Sequence, residues 1–386
     1  MISKPIYLDF NSTTPCDPRV VENMLPYFTQ HFGNSASKDH FYGWQAQEAV
    51  DDAREQVAGL IRAKVDEIIF TSGATEAINL ALKGLAENTQ GEKTHIITCK
   101  TEHAAVLDTC VYLESKGFMV TYLKVNEHGE ISLQDLEKAI TPKTLCLALM
   151  WANNETGVIH PIDKIAELAN RHNVAFFCDA TQAVGKIPID VKHVGIDLMA
   201  FSSHKMYGPK GVGALYFNQN STLSKIIPHL HGGSHEWGLR SGSLNVPGIV
   251  GFGHTAKLCR TEMATENSKL VKLRDRLETS LLTNIPGSRI NGLSTRLPQV
   301  TNLRFPEVNA ENLLLSLSQD LALSRGSACS SNVQRPSHVL KAMGLTDQEA
   351  FGSIRISLGR FTTEEEVEFT IDKLTTSILS LSPAQQ

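Results

Sequence analysis

Short apolar runs alternate with amphipathic helical patterns from about residue 44 to 217, and this alternation constrains the fold more than any other feature. Strands that alternate with helices need crossover connections, so the pattern predicts a mostly parallel sheet covered by helices on both faces. In such sheets, ligands bind beyond the carboxyl ends of the strands. The predicted strands are 67–70, 95–99, 118–123, 144–150, 174–178, 197–201 and 212–217, and the predicted helices are about 44–61, 75–88, 102–116, 132–140 and 161–172.

The pattern changes near residue 255, where a long helical stretch of about 255–285 leads the chain away from that sheet. We therefore predict an α/β protein with a large domain over 16–256. A small α+β domain is formed by 1–15 and 257–386. Its other predicted elements are strands at 300–305, 320–324 and 353–357 and helices at 310–318, 335–343 and 364–380.

Composition narrows the function classes. The chain has 386 residues, 41% of them hydrophobic, and a net charge of -5, so it can bury a core and gives no reason to expect direct nucleic-acid binding. No apolar stretch reaches the roughly 20 residues that span a bilayer, and the N-terminus lacks an export signal, so we expect a soluble cytoplasmic protein without membrane contact. The seven cysteines are odd in number and irregularly spaced, which argues against disulfides and a metal site. Six of them lie in contexts typical of a core.

The segment 69–76, Ile-Phe-Thr-Ser-Gly-Ala-Thr-Glu, predicts an anion site. A strand ends here, a tight turn follows, and Thr75 begins a helix. The free N–H groups and the positive dipole end of such a helix suit a phosphate. The same residue types also cap ordinary helices, so this segment alone leaves both interpretations open.

Two further strand ends carry charged side chains. Asp179 closes an apolar strand, where a carboxylate needs a partner such as a protonated pyridine nitrogen; an Asp that caps the next helix fits equally well. Lys205 follows the run 197–201 beside Ser202 and His204, a setting that favours a lowered pKa and a Schiff base; a solvated surface lysine is the alternative. A phosphate cradle, a strand-end Asp and a strand-end Lys, in this order, are what a pyridoxal-phosphate (PLP) site requires.

Cys329 lies in a stretch of small polar residues without periodicity, Ser-Arg-Gly-Ser-Ala-Cys-Ser-Ser-Asn over 324–332. The stretch predicts a loop, over about 324–335, that exposes the thiol and lets it travel between sites. An incidental surface cysteine is the alternative, which the Gly and Ser residues on both sides weaken.

At this point the chain resembles the group I cysteine desulfurases, NifS/IscS-like PLP enzymes of the class V aminotransferase fold. The resemblance implies PLP-dependent transferase fold type I, with a large seven-stranded-type sheet domain and a small C-terminal domain. The matching motifs run almost end to end: Tyr-Leu-Asp-Phe-Asn-Ser-Thr-Thr-Pro (7–15), Phe-Gly-Asn (32–34), Thr-Ser-Gly-Ala-Thr-Glu (71–76), Thr-Glu-His (101–103), Asn-Asn-Glu-Thr-Gly (153–157), Ser-Ser-His-Lys (202–205), Leu-Arg-Ser-Gly-Ser-Leu (239–244), Gly-Ser-Ala-Cys (326–329) and Ser-Ile-Arg-Ile-Ser-Leu-Gly-Arg-Phe-Thr-Thr-Glu-Glu-Glu (353–366).

The resemblance implies that the chain converts L-cysteine to L-alanine and transfers the sulfur to Cys329 as a persulfide, then to an acceptor protein. Lys205 would hold PLP as a Schiff base and remove the α-proton, and His103 would stack on the ring and assist proton transfer. Arg355 would clamp the substrate carboxylate with help from Asn34 or Asn154, with Arg360 as the fallback. The implied cofactor contacts are Asp179 at the pyridine nitrogen, Gln182 and Asn154 near the ring hydroxyl, and Ala74, Thr75, Ser202, Ser203 and His204 at the phosphate. Ser243 takes the position of a threonine that, in a homodimer, comes from the partner subunit.

Several positions depart from the family pattern. The usual Gly-Gly-Gly-His-Glu-Arg is Gly-Gly-Ser-His-Glu-Trp over 232–237, Ser243 replaces a threonine, and Arg325 stands where a small polar residue is common. Housekeeping members continue with a tail that docks the iron–sulfur scaffold protein, whereas this sequence stops at Gln386. The acceptor pathway therefore stays open between iron–sulfur assembly, tRNA thiolation and DNA phosphorothioation.

Two other function classes compete with this interpretation. An aminotransferase or a selenocysteine lyase on the same fold would form its product without a cysteine persulfide. A PLP-fold scaffold for a sulfur-transfer or DNA-modification partner would need no catalysis. Intact Lys205, Asp179 and Cys329 favour the desulfurase over both.

Overall fold

The computed structural model describes residues 4–89, 91–326 and 335–381. Short 3₁₀ helices lie at Val65–Glu67, Ser203–Lys205, Thr222–Ser224 and Glu236–Gly238. The strands are β1 (Ile6–Tyr7), β2 (Ile68–Thr71), β3 (His95–Cys99), β4 (Met119–Leu123), β5 (Thr144–Met150), β6 (Ala175–Asp179), β7 (Leu198–Ser202), β8 (Gly213–Phe217), β9 (Arg289–Ile290), β10 (Val300–Arg304), β11 (Leu321–Ala322) and β12 (Ser353–Ser357). The α-helices are α1 (Pro18–Met24), α2 (Pro26–Thr29), α3 (Phe41–Ile61), α4 (Ala74–Asn88), α5 (Ala104–Glu114), α6 (Leu133–Ala139), α7 (Ile162–Arg171), α8 (Val191–Val194), α9 (Val246–Asn284), α10 (Ala310–Leu317), α11 (His338–Ala342), α12 (Asp347–Phe351) and α13 (Glu364–Leu381).

The central sheet has seven strands in the order β2-β8-β7-β6-β5-β3-β4. β8 runs antiparallel to both of its neighbours, whereas β7, β6, β5, β3 and β4 pair in parallel. β5, β6 and β7 are buried along their whole length, as strands covered by helices on both faces must be. The predicted α/β fold with a mostly parallel sheet is therefore confirmed.

Local signals begin and end several of the helices where the sequence predicts. The Ser132 hydroxyl accepts a hydrogen bond from the Asp135 N–H and begins α6. Gly117, with a φ of 93°, donates its N–H to the Glu114 carbonyl just after α5, in a backbone conformation that suits glycine. These short-range contacts place the connections that carry the chain back to the sheet.

The helix α9 connects two hydrophobic cores. Its first half packs in the large core through Phe252 and Cys259, and its second half packs in a smaller core through Leu270 and Leu277. Ile6 belongs to that smaller core, together with residues of β10, β12 and α13. The two cores are thus separated along the length of α9. The domain boundary at 256/257 stays a prediction.

Two differences from the sequence predictions concern the start of α9 and the burial of Cys16. α9 begins at Val246, well before the predicted residue 255, because the Asn245 side chain caps it. Glycines that weaken the helical pattern in this stretch lie where another element packs closely against the helix. A Cβ at Gly253 would lie 2.5 Å from the Ala53 Cα of α3, so only glycine allows this close approach.

Cys16 is half-buried, whereas the other five cysteines that the sequence assigns to a core are buried. No helix in the described ranges is long and apolar enough to cross a membrane.

Candidate active site

A cavity of about 780 Å³ opens where the parallel strands of the central sheet end. Most of the residues that the sequence singles out meet in its wall, although they come from six separate parts of the chain. The predicted residues that line it are Ala74, Thr75, His103, Asn154, Asp179, Gln182, Ser202, His204, Lys205 and Arg355.

Lys205 ends the short 3₁₀ helix that follows β7, which turns its side chain into the cavity. Its Nζ donates hydrogen bonds to the carbonyl oxygens of Asn11, at 2.8 Å, and Ser12, at 2.6 Å. Burial, and then the Arg355 guanidinium, lower the pKa of Lys205 to about 8, although Asp179 acts in the opposite direction. A lysine with this pKa supplies a neutral, nucleophilic amine at a much lower pH than an ordinary lysine does.

Asp179 is the last residue of β6, and only 5% of it is exposed. Its Oδ1 accepts hydrogen bonds from the Thr181 N–H at 3.0 Å and from the Thr181 hydroxyl at 2.5 Å. The carboxylate therefore bonds its own turn and lines the cavity, whereas the next α-helix, α8, is capped by Asp190, so the helix-capping alternative for Asp179 is wrong. A buried carboxylate at the wall favours a cationic partner in the cavity.

His103 caps the start of α5 at the cavity wall. Its Nδ1 accepts a hydrogen bond from the Ala105 N–H at 3.1 Å, so a neutral ring carries its proton on Nε2. Burial lowers the pKa of His103, while Asp179 raises it and Lys205 lowers it further. The imidazole is therefore neutral at physiological pH and can accept or pass a proton.

The start of α4 forms one end of the cavity. The N-cap residue is Gly73, which has no side chain to bond the first-turn N–H groups, and Ala74 and Thr75 line the cavity directly. Such unbonded N–H groups at a helix start bind anions. Ser202 and His204 line the same cavity, and burial lowers the pKa of His204 to about 4. The neutral groups of this end suit a phosphate.

An ion pair that the sequence reasoning missed stands beside this helix start. Glu76 accepts hydrogen bonds from the Ser72 N–H at 2.8 Å and from Arg240 Nε at 2.8 Å. Burial raises the pKa of Glu76, but these hydrogen bonds outweigh it and the pKa is lowered. Arg240 lies in a motif quoted for the family resemblance, which is the signal that could have found this pair.

Arg355 lies on β12 and is only 2% exposed. Its Nη2 bonds Asp9 Oδ1 and the Ser12 hydroxyl, both at 2.6 Å, and its Nη1 bonds the Asn154 carbonyl at 3.0 Å. Its Nε has no partner among the described residues. Arg355 lines the cavity, and a guanidinium held in a cavity wall can bind a carboxylate.

The segment after β1 is the main part of the site that the sequence reasoning did not assign. Asn11 donates its N–H to the Ser357 hydroxyl at 3.0 Å and its Nδ2 to the Asn154 carbonyl at 3.1 Å, and its carbonyl accepts from Gln182 Nε2 at 3.0 Å. These bonds join the small core to the large one across the cavity. The motif over 7–15 contains this residue, but its contacts are made with positions far away in the sequence.

Two predicted residues lie away from the cavity. Ser203 is fully buried and does not line it, because adjacent residues at a strand end point to opposite sides; Ser202 faces the cavity instead. The fallback clamp Arg360 bonds Asp17 at 2.7 Å and Glu266 at 2.9 Å, also outside the cavity. The geometry therefore favours Arg355 over Arg360.

Two further predicted residues are exposed on the surface of the chain. The Asn34 side chain accepts a hydrogen bond from the Ala36 N–H at 2.9 Å and does not reach the cavity. Ser243 lines a smaller neighbouring cavity of about 110 Å³, next to Ser72 and Arg240. Within one chain, neither residue joins the site.

Cys329 lies outside the described residues. The described residues on both sides of its segment reach the cavity, since Gly326 and His338 line it. Glu155 is buried between these flanks: its Oε2 accepts a hydrogen bond from the Ser337 hydroxyl at 2.5 Å, and a Cβ on Gly326 would lie 2.5 Å from the same oxygen.

These residues fit PLP by the chemistry of their groups. The cavity offers an amine of lowered pKa at Lys205, a buried carboxylate at Asp179 and an uncapped helix start before Ala74. These are the partners of an aldehyde, a protonated pyridine nitrogen and a phosphate. The fold and the site together define a PLP-dependent enzyme of fold type I.

Comparisons with known proteins agree with this class. The sequence profile of the aminotransferase class-V family matches residues 6–369, and the chain belongs to that family. It is 50% identical over 368 residues to a protein of an Anaeromyxobacter species named cysteine desulfurase IscS, covering 95% of this chain and 91% of the relative. Among solved structures, a NifS-like protein is 38% identical with a TM-score of 0.89, covering 97% of this chain and 99% of that one. SspA in complex with cysteine is 36% identical with a TM-score of 0.81, covering 92% and 99%.

These findings confirm several predictions made from the sequence. The chain is a PLP-dependent enzyme of the cysteine desulfurases, with the predicted fold and cofactor. The roles of individual residues, the acceptor and the oligomeric state are separate questions.

Proposed function

We propose that this enzyme removes the sulfur of L-cysteine in the cavity around Lys205 and receives it on Cys329. The observation that carries the proposal is the composition of one cavity wall. Lys205, Asp179 and His103 line it together with Gly326 and His338, which lie on either side of the segment that contains Cys329. A desulfurase needs this combination, because the thiol must reach the substrate while the substrate is held.

The cofactor contacts follow from the lining. Lys205 would attach PLP covalently, Asp179 would pair with its pyridine nitrogen, and the start of α4 with Ser202 and His204 would hold its phosphate. Gln182 and Asn154 line the cavity between these ends. When bound, PLP supplies an electron sink that stabilises negative charge at the substrate Cα.

The substrate contacts involve Arg355 and Lys205. Arg355 binds the cysteine carboxylate through the donors that its own contacts leave available, and Lys205 Nζ takes the α-proton. His103, neutral and protonated on Nε2, is placed to pass protons at the same cavity. The SspA structure holds cysteine, which supports this choice of substrate.

The sulfur step involves Cys329. Its thiolate attacks the substrate Sγ, a new S–S bond forms, and the Cβ–Sγ bond breaks. The electron pair of the broken bond stays on Cβ, which takes a proton as alanine forms. The persulfide then passes its outer sulfur to a thiol of an acceptor protein.

The test measures alanine and sulfide released from L-cysteine with a reductant present, in wild type, Cys329→Ser and the control Cys16→Ser. We expect Cys329→Ser to keep its bound-PLP absorbance and lose sulfide release, whereas Cys16→Ser keeps both. Sulfide release at the wild-type rate from Cys329→Ser would overturn the role of Cys329 and favour a lyase that forms no persulfide.

We also propose a homodimer. Phe28, Phe32, Phe41, Tyr42 and Trp44, which we name the aromatic surface, are each at least 50% exposed, and the Phe32 and Tyr42 rings stack at 5.4 Å. A group of large, exposed aromatic side chains is typical of an interface. Asn34 lies in the same segment, and Ser243 lines the smaller neighbouring cavity. A second copy of the chain that covers the aromatic surface would bring both residues to the active site of its partner.

The sulfur acceptor is a protein with a reactive thiol, and the pathway stays open between iron–sulfur assembly, tRNA thiolation and DNA phosphorothioation. Transfer of labelled sulfur from the Cys329 persulfide to purified candidate acceptors would distinguish these pathways. The cytoplasmic location stays a prediction.

A further inference from the structure

The strand β2 leads directly into the turn before α4, yet it lies at the end of the central sheet. β8 pairs with one of its sides. In the described part of the chain, no strand pairs with the backbone groups of Ile68 and Phe70 that point to the other side, and such an edge leaves donors and acceptors in need of other partners. The contacts that fix this edge therefore influence the position of the phosphate-binding turn.

A buried ion pair takes the place of the missing strand. Arg54 of α3 makes a double hydrogen bond to Glu236, at 2.6 Å and 2.8 Å, and both side chains are buried. Arg54 Nη1 also donates to the Ile68 carbonyl at 2.7 Å, and Glu236 Oε2 accepts from the Phe70 N–H at 2.7 Å. The pair thus satisfies one acceptor and one donor of β2, as a neighbouring strand would.

Trp237 completes this arrangement. The Arg54 guanidinium lies 4.6 Å from the centre of the Phe70 ring and 4.7 Å from the centre of the Trp237 ring, so two aromatic rings contact it. The arginine usual at position 237 in the family would offer no aromatic face. Glu236 and Trp237 also adopt positive φ angles of 49° and 54°, a conformation that non-glycine residues keep only when their surroundings hold them.

We propose that Arg54, Glu236 and Trp237 are positioning residues for the phosphate-binding turn and thereby set the affinity for PLP. None of the three lines the cavity. They act through Phe70, which donates its N–H to Glu236. Ser72 and Gly73 follow two and three residues later, in the turn before α4. The inference rests on the proposed phosphate site at α4.

The test measures the dissociation constant of PLP by titrating apoprotein with PLP and following the absorbance of the bound cofactor. Arg54→Met removes the bond to Ile68 and leaves Glu236 without its cationic partner, and we expect the dissociation constant to rise about tenfold. Trp237→Ala should raise it by a smaller factor, and Trp237→Phe should restore most of the affinity because it keeps an aromatic face. With saturating PLP, kcat should stay within about twofold of wild type.

Arg296→Met is the matched control. Arg296 makes a double hydrogen bond to Glu278, at 2.7 Å and 3.1 Å, in a partly buried pair away from the turn. We expect this variant to lower the thermal midpoint without changing the affinity for PLP. Trp237→Ala keeps the test decisive if Arg54→Met does not fold.

Unchanged PLP affinity in Trp237→Ala and Arg54→Met would overturn the inference. An equal loss of affinity in Arg296→Met would overturn it too, since the effect would then be general destabilisation. If wild type binds pyridoxal, which lacks the phosphate, as tightly as PLP, the proposed phosphate site fails and this inference fails with it, an outcome that a wild-type titration with pyridoxal shows by itself.

Discussion

Arg355 and Asp9 form a partly buried ion pair in which Nη2 lies 2.6 Å from Oδ1. Arg355 comes from β12 near the end of the chain, and Asp9 follows β1 at its beginning. The Ser12 hydroxyl accepts from the same Nη2. The N-terminal segment thus orients the guanidinium that we assign to the substrate carboxylate, so Asp9 is a positioning residue.

Asp9→Asn should therefore weaken substrate binding more than chemistry. The amide keeps the shape of the side chain but removes the charge that holds Arg355, and we expect KM for L-cysteine to rise about tenfold with kcat changed less. Steady-state kinetics with saturating PLP measure this split. Asp320→Asn, which alters an ion pair with Lys4, is the control; a fall in kcat at unchanged KM would contradict the assignment.

The lowered pKa of Lys205 predicts how the apoprotein takes up PLP. Below about pH 8, Lys205 is an ammonium held by the carbonyls of Asn11 and Ser12; above it, the neutral amine can attack an aldehyde. The rate of covalent PLP attachment should rise with pH through a midpoint near 8, well below the value of about 10.4 for an ordinary lysine.

Stopped-flow absorbance of apoprotein mixed with PLP over a pH series gives this midpoint. Arg355→Met removes a cation that lowers the pKa of Lys205, so its midpoint should move to higher pH. A wild-type midpoint near that of free lysine would show that the buried environment does not act as described.

His160 predicts a loss of stability in acid. Both ring nitrogens are buried without a partner among the described residues, and burial lowers the pKa of His160 to about 4. Unfolded histidine binds a proton first, near its ordinary pKa of about 6.5, so the stabilisation is present above that pH and declines as the pH falls toward 4. Between pH 7.5 and pH 5 the residue should account for roughly 2 kcal/mol of lost unfolding free energy.

Denaturant unfolding at the two pH values measures this loss. His160→Leu should reduce the difference by about that amount, whereas His128→Leu at an exposed position should not. An unchanged pH dependence in His160→Leu would exclude this residue as the cause.

The aromatic surface predicts how the dimer can be broken. Phe32→Glu places a charge within it and should shift the protein to monomers at micromolar concentration, with weaker PLP binding because Ser243 and Asn34 lose their partner cavity. Light scattering after size exclusion measures the mass. Leu315→Glu, at an exposed leucine outside this surface, should keep the wild-type mass; a wild type that is already monomeric would overturn the dimer.

Much of the fold was predictable because it follows from local patterns. β3, β5 and β12 have the predicted bounds, since short apolar runs between helical patterns leave little choice of structure. The site residues at strand ends were predictable for the same reason. Asp179 is the last residue of β6, and Lys205 lies in the short 3₁₀ helix that follows β7. The family resemblance added His103 and Arg355, which no local pattern indicates.

The sequence by itself determined the order of strands and helices, the strand-end positions of Asp179 and Lys205 and the family. Only the tertiary structure decided that Ser202 rather than Ser203 faces the cavity, that Arg355 rather than Arg360 reaches it, and that Asn11 joins the two cores. The reason is physical. Secondary structure follows from interactions a few residues apart, and local alternation sends Ser202 and Ser203 to opposite sides. Which side becomes the cavity, and which arginine reaches it, depends on contacts between residues far apart in the chain, such as Asn11 with Ser357.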